Sequence, residues 1–339
     1  MSLRKRLRLP KIKHFFQNRA LVLLYHRINV PMSDPWSLSV SPVLFEKQLQ
    51  YLKNNYSIIS SDELAVQMAS GKIRDRSVVL TFDDGYLDNY ETARPLLEKH
   101  SIPATFFITD SYMDSEQPFW WDELEYVIVH SNQLPSIFSI SFNNKNMHFD
   151  LSGETVLDDE LRQKQQNYKA HNPPTLRTEL YLALWRLFSP LQKTEQQNLL
   201  RQIREWAGLT AEETRVGGCM SGMQLQALSE NALFTIGGHS KSHLSLDCHS
   251  EEVQEVEISE NKQFLEDLVE KRVHHFSYPS GKYGDTTVKL LKNNDFHAAF
   301  TGDANPVDDK TDHFEIPRCQ VNDWGVEKFK RKMEKWFTS

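Results

Sequence analysis

The chain has 339 residues, 39 Lys and Arg against 46 Asp and Glu, and a net charge of −7, with 39% hydrophobic and 25% charged residues. That is a globular composition with enough apolar residues for a sizeable core, and it excludes the disordered and collagenous classes. An acidic balance argues against nucleic acid as a partner, because holding many phosphates takes a basic excess.

The three cysteines, Cys219, Cys248 and Cys319, are far apart and lack CxxC spacing, so neither a disulfide framework nor a thiolate metal knot is expected, and buried free thiols are the plain reading. Residues 1–19 form a basic arm, with seven Lys/Arg and no Asp/Glu in the first twenty residues and Leu3, Leu7, Leu9, Ile12, Phe15 and Phe16 interleaved. Such an arm suits an anionic membrane surface or a phosphate-bearing substrate, or remains a solvated tail. The following apolar run, ALVLLY, is too short for a signal core or a membrane span. The expectation is a cytoplasmic protein with peripheral contact, through the arm, at the inner face of the membrane.

From Ala20 short apolar runs alternate with helical stretches. ALVLLYH is followed by SPVLFEKQLQYLKNN, where Ser41 and Pro42 read as N-cap and first helical residue and Phe45, Leu49 and Leu52 as the buried face. YSIIS, the helix DELAVQMAS, SVVLTF, the helix ETARPLLEKH and IPATFFIT continue the pattern. Repeated alternation predicts a mostly parallel sheet covered by helices. It breaks between about residues 115 and 231, where FWWDELEYVIVHS, a strand-like IFSISFNN and the amphipathic RTELYLALWRLF and EQQNLLRQIREWAGL predict a mainly helical insertion. LFTIGGH, a long helix over 250–271, VHHFSYP, a helix after Asp285 and HAAFTG resume the alternation. About seven strands of this kind, in a single domain over 20–339, suit an incomplete α/β barrel or an open sheet. The terminal EKFKRKMEKWFTS places Phe329, Met333, Trp336 and Phe337 on one helical face, which packing on the domain accounts for better than membrane contact.

Two stretches stand where strands give way to loops, the position at which parallel α/β folds collect reactive side chains. TFDDG follows SVVL and sets Asp83 beside Asp84, a costly pairing unless a metal ion or an arginine offsets it, while Gly85 allows a tight turn. Asp88 reads as a helix cap. GGHSKSH follows LFTI and spaces His239 and His243 four apart, so that both imidazoles can reach one ion. One carboxylate and two histidines leave a coordination position open, the catalytic pattern for zinc.

TFDDG followed by HSxxH resembles the polysaccharide deacetylases, the NodB-homology or carbohydrate esterase family 4 enzymes. The resemblance runs from about Ala20 to Trp324, the insertion excepted. It implies a distorted (β/α) barrel that removes N-acetyl groups from amino sugars with a divalent metal, Zn²⁺ or else Co²⁺ or Ni²⁺. It also implies Asp83 as catalytic base and Asp84, His239 and His243 as ligands. The family's Arg before Pro-Tyr is absent: FSYPSGKYG carries Ser277 and Ser280 instead. Arg318, in EIPRCQ, is the substitute expected to orient Asp83. The family's C-terminal LxH is also absent, and LLYHRI at the start resembles the shifted arrangement of the biofilm poly-N-acetylglucosamine deacetylases, implying His26 as general acid. Tyr278, Ser280 and Gly281 then fall where substrate and oxyanion are held. Phe119, Trp120 and Trp121 offer either sugar-stacking walls or core anchors. The substrate implied is an N-acetylated cell-surface glycan or glycolipid precursor; an O-acetyl esterase or a non-catalytic carbohydrate-binding protein is the alternative.

Overall fold

The runs ALVLLY and SVVLTF are apolar or small at every position, and each is buried along its whole length as a strand of a parallel sheet. In the computed structural model, which describes residues 18–115, 117–143 and 145–339, ten strands follow in chain order. They are β1 (Ala20–Tyr25), β2 (Ser57–Ile58), β3 (Ser77–Phe82), β4 (Ala104–Ile108), β5 (Ile137–Phe142), β6 (Lys145–Asp150), β7 (Phe234–Gly238), β8 (His275–Ser277), β9 (Ala298–Phe300) and β10 (Cys319–Gln320).

Seven of them form a curled parallel sheet in the order β10-β1-β3-β4-β7-β8-β9, with β2 pairing beside β3. Register fixes what shares the rim: Tyr25 pairs with Phe82, Phe82 with Phe106, Gly238 with Phe276 and Ser277 with Phe300. The sheet is drawn round at its ends by Ile316, which bridges to Phe300 just before β10 pairs with β1. This narrow link gives a distorted half-barrel rather than a regular closed one.

Side chains divide by the two-residue period of a strand. Leu21, Leu23 and Tyr25 of β1 pack outward into the main core against Phe45, Leu49 and Leu52 of the helix Pro42–Asn55 and Phe329, Met333, Trp336 and Phe337 of the helix Val326–Thr338. Ala20 and Val22 point the other way, into an inner cluster with Val79, Phe107 and Phe300. The C-terminal apolar face is therefore core. Arg19 ties the other end of the chain to it, donating to the carbonyls of Phe337 (2.8 Å) and Ser339 (2.9 Å). Residues 1–17 of the basic arm lie outside the described residues. Among the described residues no helix is long and apolar enough to cross a membrane.

Between β4 and β7 the chain runs through the helices Trp120–Glu125, Asp159–Gln166, Leu176–Phe188 and Lys193–Ala207 and the antiparallel pair β5–β6. These elements bury a cluster of their own, including Leu124, Ile128, Phe138, Leu184 and Ile203.

Three local readings of the sequence need correction. Ser41 and Pro42 occupy the N-cap and first helical positions as read, but the Ser41 hydroxyl donates to Asp323 Oδ1 at 2.7 Å and makes no cap bond to the helix. Asp88 also makes no cap; its carboxylate accepts from the Ile28 N–H (2.9 Å), Arg27 (3.2 Å) and Asn29 (3.1 Å), binding the loop after β1 to the one after β3. Cys319 is buried, but Cys248 is exposed. For Ser41 and Asp88 a distant partner competes for a group that local spacing alone would have satisfied.

Candidate active site

All strands of the main sheet run parallel, so the residues following them meet at one rim: His26 after β1, Asp83 and Asp84 after β3, His239 after β7, and Tyr278 after β8. The turn after β3 is tight. Asp84 has φ 75° and Gly85 φ 80°, and a Cβ on Gly85 would lie 3.2 Å from Ile108 Cδ1. A left-handed aspartate costs of order 1–3 kcal/mol and persists only where its surroundings over-determine it. His243 (φ 57°) and Ser280 (φ 54°) share that conformation at the same mouth.

The loop bearing the histidines is held from behind. The His239 N–H donates to Asn261 Oδ1 at 3.1 Å, and Glu257 accepts from the Ser242 N–H (2.8 Å) and hydroxyl (2.6 Å). Gly238 permits this, since a Cβ there would stand 2.8 Å from Asn261 Oδ1. His239 Nδ1 is 2.7 Å from the carbonyl of Ser277 and donates to it, which turns Nε2 toward the carboxylates.

Asp84 Oδ1 lies 3.4 Å from His239 Nε2 and 3.4 Å from His243 Nε2, and the ligand atoms of the three residues lie within 4.8 Å of one another. That oxygen is buried and has no hydrogen-bond partner. A buried carboxylate oxygen left unmade between two imidazole nitrogens is costly by itself and fits a divalent cation shared by all three. Burial pushes His243 down to about 4, favouring the neutral, ligating imidazole.

Asp83 lies beside this triad in a different environment. Arg318 clasps it through two parallel bonds of 2.7 Å, Nη1 to Oδ1 and Nη2 to Oδ2, and the Ser277 hydroxyl donates to Oδ2 at 3.0 Å. Arg318 is in turn fixed through Nε to the Thr301 carbonyl (2.8 Å) and through Nη2 to Ser277 Oγ (2.7 Å). Burial works to raise the Asp83 carboxyl, but the guanidinium, aided by His239 and His26, overcomes it and holds the group well below the usual carboxylate range. The two adjacent aspartates thus differ in their nearest partners: two imidazoles at 3.4 Å for Asp84, an arginine fork at 2.7 Å for Asp83, with His239 Nε2 also 3.8 Å from Asp83 Oδ2.

His26 lines the same cavity, with Nδ1 buried and without a hydrogen-bond partner. Burial lowers its basicity further than the two aspartates restore it, so the neutral ring is favoured. Tyr278, Ser280 and Gly281 also line the cavity. The Tyr278 hydroxyl is engaged by the Phe314 carbonyl at 2.8 Å, and the Gly281 N–H closes a turn onto the Tyr278 carbonyl at 2.9 Å. The Gly281 N–H is thus committed to its turn, whereas the Tyr278 hydroxyl has donated its proton and keeps its oxygen as an acceptor.

The cavity measures about 350 Å³. Trp121 flanks the triad, its ring centroid 4.7 Å from that of His243 and its indole N–H donating to Tyr86 Oη at 2.8 Å. Trp120 is 5% exposed and Phe119 fully buried, so of the three aromatics Phe119 is a core anchor. Trp36 and Trp185 complete the wall. Sequence reasoning passed over both, since an isolated Trp in a loop and another in an amphipathic helix carry no positional signal.

The Polysaccharide deacetylase family model matches residues 70–176 and 207–299. The chain belongs to that family. His26 and Arg318 fall outside the matched residues and reach the rim through the pairing of β1 with β3 and β10. The poly-beta-1,6-N-acetyl-D-glucosamine N-deacetylase of Staphylococcus aureus is 32% identical over 120 residues, 32% of this chain and 41% of that protein. The chain spans about two-fifths of the length of the curated relatives it matches. Two solved structures share the fold. Streptococcus pyogenes deacetylase PplD has TM-score 0.54 and 18% identity over 94% of this chain and 99% of that one. IcaB from Ammonifex degensii has TM-score 0.57 and 16% identity over 95% and 98%.

Proposed function

We propose that the protein is a metal-dependent N-deacetylase that hydrolyses the acetamide of an N-acetylated amino sugar in a bacterial cell-surface glycan or its lipid-linked precursor. The observation that carries this reading is the division of labour between adjacent aspartates: Asp84 converges with His239 and His243, while Asp83 is clasped by Arg318 and makes no part of the triad. Binding a metal needs the first arrangement only; a separate, ionised carboxylate beside it is what hydrolysis adds. The name of the S. aureus relative supports an N-acetylated polyglucosamine as the substrate class.

Asp84, His239 and His243 would hold the ion, with Zn²⁺ the best match to a donor set of two imidazoles and one carboxylate. When bound, such an ion polarises the acetyl carbonyl and makes its water acidic near neutral pH. Asp83 is ionised throughout the working pH range and accepts the proton of the attacking water. Arg318 and Ser277 fix both of its oxygens, so the carboxylate is oriented before substrate arrives. The Gly281 N–H is spent within its turn, which leaves the Ser280 N–H as the backbone donor toward the developing oxyanion. His26 is the acid for the departing sugar nitrogen; because burial favours its neutral ring, it must take up a proton before it can give one.

The test is acetate release by the Zn²⁺-loaded chain from matched N-acetylated and O-acetylated glucosamine oligomers. Release from the amide, lost on chelation and restored by metal, is expected. Release confined to the O-acetyl oligomer makes the protein an esterase and refutes the assignment.

A further inference from the structure

Four indoles line the cavity beside the catalytic machinery. Starting at His243, Trp121 lies 4.7 Å away, Trp120 follows at 5.3 Å, Trp185 at 6.1 Å, and Trp36 closes the series 4.6 Å from Trp185. Trp120 is buried, whereas Trp36, Trp121 and Trp185 keep part of their surface exposed. The outer pair is held in place by its surroundings. Gln320 donates to the backbone carbonyls of Trp36 (3.3 Å) and Ser37 (3.0 Å), and Trp185 belongs to the helix Leu176–Phe188.

Charge narrows what this wall can take. Among the described residues lining the cavity, Arg318 is the one Lys or Arg, and its donors are committed to Asp83, Thr81, Ser277 and Thr301. His239 and His243 face Asp84. Apart from an ion at the triad, the cavity therefore offers no free lysine or arginine for a phosphate or a uronate. It offers indole surface, which meets the C–H faces of a pyranose, and small polar groups such as Ser189 and Ser245 at its margin for hydroxyls.

We propose that Trp36 and Trp185, backed by Trp120, form a stacking subsite for an uncharged sugar next to the one whose acetamide is cleaved. The protein thus acts on a neutral oligomer of amino sugars rather than on a monosaccharide carried directly on phosphate. The position of the cleaved sugar rests on the deacetylase reading; the wall and its lack of a free lysine or arginine do not.

The experiment titrates Zn²⁺-loaded full-length Asp83→Asn protein, following tryptophan emission. The ligands are N-acetylglucosamine, its β-1,6- and β-1,4-linked tetramers and N-acetylglucosamine 1-phosphate. One tetramer is expected to bind at least about tenfold tighter than the monosaccharide, a difference of about 1.4 kcal/mol. Trp185→Ala and Trp36→Ala together should bring that ratio close to one, while Trp185→Phe, which keeps an aromatic face, retains most of it. Titrated against the chelated protein, where no ion can take the phosphate, the 1-phosphate should bind no tighter than the neutral monosaccharide. A preference for the tetramer that survives both alanine substitutions, or a tenfold preference of the chelated protein for the 1-phosphate, overturns the proposal. KM of the wild-type chain for the tetramer, measured with the same tryptophan substitutions, should rise with little change in kcat, which general loosening of the fold would not produce. The two readings also separate. Length-dependent binding without acetate release keeps the subsite and removes the deacetylase; acetate release indifferent to chain length does the reverse.

Discussion

Arg318 is 2% exposed and makes both of its bonds to Asp83 at 2.7 Å. A buried ion pair of this geometry is not itself a source of much stability, because desolvating both partners offsets the attraction. Removing one partner is another matter, since the remaining charge is left buried without compensation. Arg318→Ala should therefore destabilise the metal-loaded protein by about 3–5 kcal/mol and lower kcat, whereas the paired change to Asp83→Asn with Arg318→Met should recover much of the stability and none of the activity. Urea unfolding of the two variants checks this; equal stability of Arg318→Ala and wild type would show that the fork is not what holds Asp83. The carboxylate pair and the histidine pair were legible in the sequence because each follows an apolar run and includes or adjoins glycine. The partner of Asp83 was legible only indirectly: Ser277 stands where the resemblance expects an arginine, and Arg318, after a short apolar stretch near the end of the chain, was the substitute expected. Its substitute lies 235 residues away along the chain, and sheet register rather than spacing brings it to the rim.

At the scale of elements, alternation of apolar runs and amphipathic stretches predicted the parallel sheet and the helices that cover it. YSIIS contains the two-residue β2, while β10, also of two residues, shows where that reasoning weakens: too short to carry a period, it forms by pairing with β1. The helix Trp120–Glu125 ends on a partly exposed carboxylate held by two hydroxyls. Glu125 accepts hydrogen bonds from the hydroxyls of Ser33 and Tyr168, each 2.7 Å away, and burial, with Asp122 and Asp34 adding, raises its carboxyl to about 7 despite them. A carboxyl raised in the folded state binds its proton more tightly there than in the unfolded chain, so it favours folding below the ordinary glutamate range. That advantage is lost as pH rises toward 7. Glu125→Gln keeps an accepting oxygen and removes the charge. Its Tm should exceed that of wild type at pH 8 and match it near pH 4.5. A wild-type Tm that climbs from pH 5 to pH 7 relative to the variant would reverse the sign and contradict the burial of this group.

For the whole molecule, the half-barrel supplies a rim on which side chains from β1, β3, β7, β8 and the approach to β10 meet. The stretch between β4 and β7 supplies three of the four tryptophans of the cavity wall. Catalytic residues and substrate wall thus come from separate parts of the chain. The chemistry was readable from motifs, while Trp36 and Trp185 emerged only once the helix Leu176–Phe188 was set against the loop after β1. The central claim is that adjacent aspartates divide metal binding from proton transfer, and the measurement that tests it most directly is acetate release by Asp83→Asn beside wild type, with bound Zn²⁺ quantified in both. The account predicts equal metal content and a rate lower by about 10²-fold or more. Full activity in the metal-loaded variant, or loss of the metal along with the rate, would contradict it.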